Sequence, residues 1–122
     1  MAAVKKILMV DDDPDLREAL ADQLVQTEEF DVFEASDGAE GLARAKEQTY
    51  DLVILDVGLP DMDGTQVFAL LTQRHPDLPI VFSTGHADRA KLDAYLERPH
   101  VSCLLKPYES SSLLTAIRDV MA

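Results

Sequence analysis

Several polar residues stand immediately after apolar runs and carry groups that could act together. Ile7-Leu8-Met9-Val10 runs into Asp11-Asp12-Asp13, Leu52-Val53-Ile54-Leu55 into Asp56, residues 80–83 into Thr84, and residues 102–105 into Lys106. Brought to one place, Asp11, Asp12 and Asp56 would repel one another by about 3 kcal/mol per pair at a separation of ~5 Å and an effective dielectric of ~20. Something positive is required there. Oxygen-only donors suit a hard cation, and Mg²⁺ usually takes one or two carboxylates, keeps several waters and completes its shell with phosphate oxygens. Lys106 offers a second, fixed positive charge. In such a setting a carboxylate can itself attack phosphorus, provided that metal and ammonium neutralise the developing charge and a hydroxyl such as that of Thr84 helps to place the group.

The elements that must position these residues alternate along the chain. Short apolar runs follow longer amphipathic stretches in five pairs, the pattern of strands and helices in a parallel α/β sheet. The first strand is continuously apolar, as a strand covered on both faces should be. Asp13-Pro14 reads as N-cap and first helical position, and Leu16, Leu20 and Leu24 mark the buried stripe of the first helix. Phe30–Ala35 is a second strand, with Ser36 capping a helix over residues 37–48. After the strand ending at Asp56, a loop rich in Gly, Pro and Asp over residues 57–63 leads into a helix over Gly64–Arg74. Pro76 and Pro79 bracket the turn into the fourth strand, which is followed by a helix over residues 87–97. The fifth helix starts near Ser110, with Leu113, Ile117 and Val120 on one face. Such an alternation is a doubly wound sheet, in which ligands bind beyond the carboxyl ends of the strands. Asp11, Asp12, Asp56, Thr84 and Lys106 all fall at those ends.

Composition narrows the classes. A chain of 122 residues fits one domain and buries roughly two-thirds of its unfolded surface. The formal net charge of −12 would repel a phosphate backbone, so no nucleic acid is expected as a partner and proteins are favoured. No apolar run approaches the ~20 residues needed to cross a bilayer. Lys5 and Lys6 are followed by too short an apolar stretch for a signal peptide, so a cytoplasmic location is expected. With Cys103 as the one cysteine, an intramolecular disulfide is impossible.

The residues also carry a resemblance. Val10-Asp11-Asp12-Asp13-Pro14, then Asp51 through Gly64 with Asp56 at the strand end, then Ser83-Thr84-Gly85 and Leu105-Lys106-Pro107, are similar in order and spacing to the receiver domain of two-component response regulators. The match spans essentially the whole chain, residues 1–122. It implies a flavodoxin-like, doubly wound (βα)5 sandwich with a parallel sheet in the order 2-1-3-4-5. It further implies that Asp11 and Asp12 hold Mg²⁺ together with Asp56 and the backbone carbonyl of Gly58. Asp56 becomes the phosphoacceptor, and Thr84 and Lys106 contact the phosphoryl group. The resemblance also implies a cis Lys106-Pro107 peptide, a form found in only about 5–6% of such bonds. The phosphodonor would be a histidine kinase or histidine-phosphotransfer protein docking near the first helix, where Leu16, Ala19 and Leu20 serve either the partner or the core. A protein partner or a fused output domain outside this chain would read the face formed by the fourth helix, fifth strand and fifth helix. The domain would signal rather than act as a free-standing enzyme.

Departures from the family pattern bear on the readout. The usual aromatic switch residue, three positions before the lysine, is Cys103 here, either a small apolar residue or a redox group. Pro99-His100 replaces the usual Gly-Ala turn. With Val81-Phe82-Ser83-Thr84-Gly85 and Lys106-Pro107-Tyr108, these features resemble a branch of receivers with a Phe-Ala-Thr-Gly-type motif. Activation is then expected to reorganise residues 85–99, with Tyr108 a packing residue. Gly58 and His86 flank the phosphoryl position; His86 either contacts that group or a water, or is a plain loop histidine.

Two other readings fail on the residues. Asp61-Met62-Asp63-Gly64-Thr65 spells the signature of haloacid-dehalogenase-type phosphatases, but there the first aspartate must end an apolar strand, and here Gly58-Leu59-Pro60 precedes it. The same stretch lacks the spacing and terminal glutamate of an EF-hand. A receiver-shaped module that never handles phosphate would be expected to lack Asp56 or Lys106, and both are present.

Overall fold

The computed structural model describes residues 4–121; Met1-Ala2-Ala3 and Ala122 lie outside the described residues, as do the side chains of His86 and Ala87. Five parallel strands, β1 (Lys5–Val10), β2 (Phe30–Ala35), β3 (Leu52–Asp56), β4 (Ile80–Thr84) and β5 (Val101–Leu105), pair in the order β2-β1-β3-β4-β5. This is the flavodoxin-like order that the resemblance implies. The central strands β3 and β4 are buried at every residue, which explains why they run apolar without alternation up to Leu55 and Phe82, before the polar residues at their carboxyl ends.

Period-2 alternation sends successive side chains into two cores. Ile7, Met9, Ile54 and Val81 meet Leu20 and Leu24 of α1 (Pro14–Gln26) and Leu113, Ile117 and Val120 of α4 (Ser110–Met121). Leu8, Val10, Val53, Leu55 and Phe82 meet Val67, Phe68 and Leu71 of α3 (Gly64–Arg74), with Leu42 and Ala45 of α2 (Gly38–Glu47) at the margin. Among the described residues, no helix is long and apolar enough to cross a membrane.

Local signals set most helix starts. Asp13 caps α1 by accepting from the backbone N–H groups of Asp15 and Leu16, with Pro14 in the first turn. For α2 the cap is Asp37 rather than the expected Ser36. The Asp37 carboxylate accepts the Glu40 N–H at 2.7 Å, and Ser36 instead donates its own N–H to the Glu40 side chain.

The expected helix over residues 87–97 is not α-helical. Two 3₁₀ segments, His86–Leu92 and Tyr95–Glu97, take its place. Gly85 provides no side-chain cap, and the observed bonds are short-range: Asp88 N–H to Gly85, Asp93 N–H to Ala90 and Arg98 N–H to Tyr95. Leu92 is buried in the α3-side core, and Tyr95 and Leu96 pack against it. Tyr95 packs edge-on against Phe68 and Phe82, at centroid distances of 5.1 and 6.0 Å. The C-terminal helix is therefore the fourth α-helix of the fold.

Gly64 fixes how closely α3 approaches the end of β3. A Cβ there would collide with the Asp56 carbonyl oxygen and lie 2.7 Å from the Val57 Cα, and both are backbone atoms that cannot swing aside. The Gly64 N–H donates to the Val57 carbonyl at 2.8 Å across the same approach. Gly64→Ala should therefore destabilise the protein by about 1–3 kcal/mol, read as a lower denaturant midpoint. A midpoint equal to that of the wild type would show that the backbone yields without penalty.

Candidate functional site: an acidic cluster at the carboxyl edge of the sheet

β1 and β3 are hydrogen-bonded neighbours, so their ends bring Asp11 and Asp56 side by side. Carboxylate oxygens of Asp11, Asp12 and Asp56 all lie within 4.8 Å of one another. Asp11 and Asp56 are buried, at 3% and 5% exposure, whereas Asp12 faces solvent. Lys106, carried by the connection after β5, places its Nζ 3.2 Å from Asp11 Oδ2 and 3.2 Å from Asp56 Oδ2. The Lys106-Pro107 peptide is cis, as the resemblance implies.

Backbone donors hold the two buried carboxylates in place. The Asp13 N–H donates to Asp11 Oδ1 at 2.9 Å, and the Gly58 N–H donates to Asp56 Oδ1 at 3.1 Å. Burial pushes the Asp56 carboxyl above its ordinary range, Asp11 adds to that, and Lys106 and the Gly58 N–H pull against it. Burial also opposes the charge on Lys106, but Asp56 and Asp11 outweigh it and hold the ammonium above its ordinary pKa.

The other anticipated residues are distributed as follows. Thr84 is buried at the end of β4, where its hydroxyl donates to the Gly85 carbonyl at 3.1 Å. Nothing surrounds the Cβ direction of Gly58 within 4 Å, so that position is open. Cys103 is half-buried against the α3 core, and burial raises its thiol pKa, which favours the apolar reading over a reactive thiolate. Of the α1 residues considered for docking, Leu20 belongs to the core, Leu16 is half-buried and Ala19 is exposed.

Three features were not anticipated from the sequence. Arg17 donates from Nη1 to the Asp11 carbonyl at 2.6 Å and from Nε to Glu34 at 3.0 Å, tying α1 and β2 to the acidic turn. Its signal was its position as the one basic residue of α1, a turn after the Asp13 cap. Asp61 accepts the N–H groups of Gly38 and Ala39, at 2.8 and 2.9 Å, so it anchors the start of α2 rather than serving catalysis. Ser83, the residue before Thr84 in β4, donates to the Tyr108 hydroxyl at 3.3 Å.

The chain belongs to the response regulator receiver domain family, which it matches over residues 7–118. It is thus a receiver domain of a two-component system, a signalling module with the acidic pocket Asp11, Asp12 and Asp56. It is similar to the transcriptional regulatory protein GlrR of Escherichia coli (strain K12), with 36% identity over 115 residues covering 94% of this chain and 26% of GlrR. It is also similar to the sensor protein EvgS of the same organism, with 37% identity over 93% of this chain and 9% of EvgS. Among solved structures, a CheY-like receiver domain protein from Methanospirillum hungatei JF-1 superposes with a TM-score of 0.86 at 28% identity, covering 98% of this chain and 94% of that one. The response regulator TrrA from Thermotoga maritima, in complex with Mg²⁺-BeF, gives a TM-score of 0.83 at 28% identity, covering 96% and 99%. The chain spans about a quarter of the length of GlrR.

Asp63 joins this site to its surroundings. It caps α3 in a reciprocal box with Gln66 and receives Lys91 from the 3₁₀ segment at 3.5 Å. Burial raises its carboxyl pKa, but the Thr65 N–H and hydroxyl and Lys91 outweigh that and hold it below the ordinary range. A carboxyl depressed in the folded state contributes stability above its unfolded pKa of about 4, and that stability is lost as pH falls through the folded value. Asp63→Ala should cost about 1 kcal/mol at neutral pH, as the loss of a cap, and the difference from wild type should shrink in acid. A melting difference independent of pH would contradict this.

Proposed function

We propose that Asp56 accepts a phosphoryl group from a phosphohistidine on a histidine kinase or histidine-phosphotransfer protein. The observation that carries this reading is the placement of the Lys106 ammonium 3.2 Å from the oxygens of both buried carboxylates.

Three carboxylates against one ammonium leave two formal negative charges uncompensated, in a set made of hard oxygen donors, which fits a divalent cation. Asp11, Asp12, Asp56 and the Gly58 carbonyl would hold Mg²⁺. When bound, Mg²⁺ neutralises charge on the incoming phosphoryl oxygens. Asp56 Oδ1 keeps its Gly58 N–H bond, and Oδ2, which accepts from Lys106 at 3.2 Å, forms the new bond to phosphorus as the ammonium passes to the phosphoryl oxygens. As that bond forms, the bond from phosphorus to the donor imidazole breaks, and the imidazole leaves with the electron pair. Lys106 stays within reach of the transferred oxygens and stabilises their charge. Thr84, turned toward Gly85 here, reaches the same oxygens by rotating its hydroxyl away from that carbonyl.

The reading extends to the signal. Residues 1–122 form a single receiver domain that works in the cytoplasm. Leu16 and Ala19 belong to the docking side, and Leu20 is left to the core. Cys103 offers no aromatic ring to rotate, consistent with the Phe-Ala-Thr-Gly-type branch. Residues 85–99 start directly after Thr84 and are built of short-range bonds, so they carry the change to a downstream protein or a fused output domain.

Incubation with acetyl phosphate or a phosphoramidate and Mg²⁺, followed by intact-mass measurement, tests the acceptor. One phosphoryl adduct is expected on wild type and none on Asp56→Ala. An adduct that persists in Asp56→Ala removes Asp56 as the acceptor, and no adduct on either protein favours a module that only binds. In the labelled sample the amide shifts of residues 85–99 should move; shifts that stay put would remove this segment as the readout.

A further inference from the structure

The Ser83–Tyr108 hydroxyl pair lies directly beneath the acidic cluster. Ser83 is 1% exposed, beside Thr84 at the polar end of β4, and it stands in register opposite Asp56. Tyr108 is half-buried and packs against the core made by Ile7, Met9, Ile54 and Val81. A phenylalanine would fill that core equally well, so packing does not require the phenol oxygen. The two hydroxyls satisfy each other at 3.3 Å, and either alone would be a buried polar group without that partner. Burial pushes the phenol pKa above its ordinary value.

What the pair fixes is the connection that carries Lys106. The Lys106 N–H donates to the Thr84 carbonyl at 2.8 Å, and two residues on, the Tyr108 hydroxyl meets Ser83. The connection is thus attached to the end of β4 on both sides of Pro107. A lysine side chain is long and flexible, and its charge is useful only if the backbone that launches it is held. We infer that Tyr108, through its hydrogen bond to Ser83, is a positioning residue that aims the Lys106 ammonium at the phosphoryl group during transfer to Asp56. This rests on the reading of Asp56 as acceptor and Lys106 as its phosphoryl contact.

The experiment measures the rate of phosphoryl uptake from phosphoramidate at saturating donor and Mg²⁺, by intact mass. Tyr108→Phe should lower the maximal rate about fivefold, the scale of a modest misplacement, with the donor half-saturation unchanged. Mg²⁺ affinity, followed by amide shifts, should also be unchanged. Ser83→Ala should give the same factor. In a Lys106→Ala background, Tyr108→Phe should cost nothing further, which a merely structural role would not produce. A Tyr108→Phe or Ser83→Ala rate equal to wild type overturns the inference, as does a fivefold loss that persists without Lys106. A wild type that takes up no phosphoryl group would instead fail the acceptor reading. A labelled wild type with slowed Lys106→Ala and unaffected Tyr108→Phe would fail this inference alone.

Discussion

The architecture is organised around the crowding of carboxylates at the end of two adjacent central strands. Asp11 and Asp56 are almost fully buried, Asp12 is close enough to add its charge, and Lys106 is the cation within salt-bridge distance of both buried groups. Charge taken out of water is costly unless it is paired and hydrogen-bonded. The fold offsets that with one ammonium and two backbone N–H groups, and stops short of neutrality. The remaining negative charge is what a divalent cation offsets.

Holding such a site requires rigid surroundings. The strands beneath it are saturated with aliphatic side chains on both faces, and the loop after β3 is fixed at several points. Gly64 lets α3 close directly onto Asp56 and Val57, Asp61 anchors α2, and Asp63 caps α3 and meets Lys91. Arg17 performs the same service for the Asp11 carbonyl. The less tightly bonded part lies on the other side of Thr84, where 3₁₀ turns replace an α-helix. Rigidity around Asp56 and short-range bonding after Thr84 are the arrangement expected of a device that must hold its chemistry still while transmitting a change of shape.

Much of this was legible in the sequence because the signals are local. Continuous apolar runs marked the buried parallel strands, Asp13-Pro14 marked the start of α1, and polar residues at strand ends marked the site, since a doubly wound sheet gathers those ends together. What escaped was set by tertiary context. The stretch over residues 87–97 has helix-forming composition, yet Gly85 gives it no side-chain cap, and Leu92, Tyr95 and Leu96 are held by the α3-side core. Asp37 rather than Ser36 caps α2, and Glu40 reaches back to the Ser36 N–H. Asp61 acts through Gly38, 23 residues away, and Arg17 through Glu34, 17 residues away, so their partners are set by the tertiary fold. Tyr108 looked like packing and is packing, but its hydroxyl has a partner visible only in three dimensions.

The central claim is that the site is electrostatically incomplete without its cation, and thermal unfolding of wild type and Asp56→Asn, with chelator and with excess Mg²⁺, tests it most directly. In chelator, Asp56→Asn should be the more stable protein by about 1 kcal/mol, a shift of a few degrees, because one charge leaves the crowded cluster. Added Mg²⁺ should raise the wild-type midpoint clearly and that of Asp56→Asn much less. A wild type at least as stable as Asp56→Asn in chelator, or equal shifts with Mg²⁺, would contradict the account.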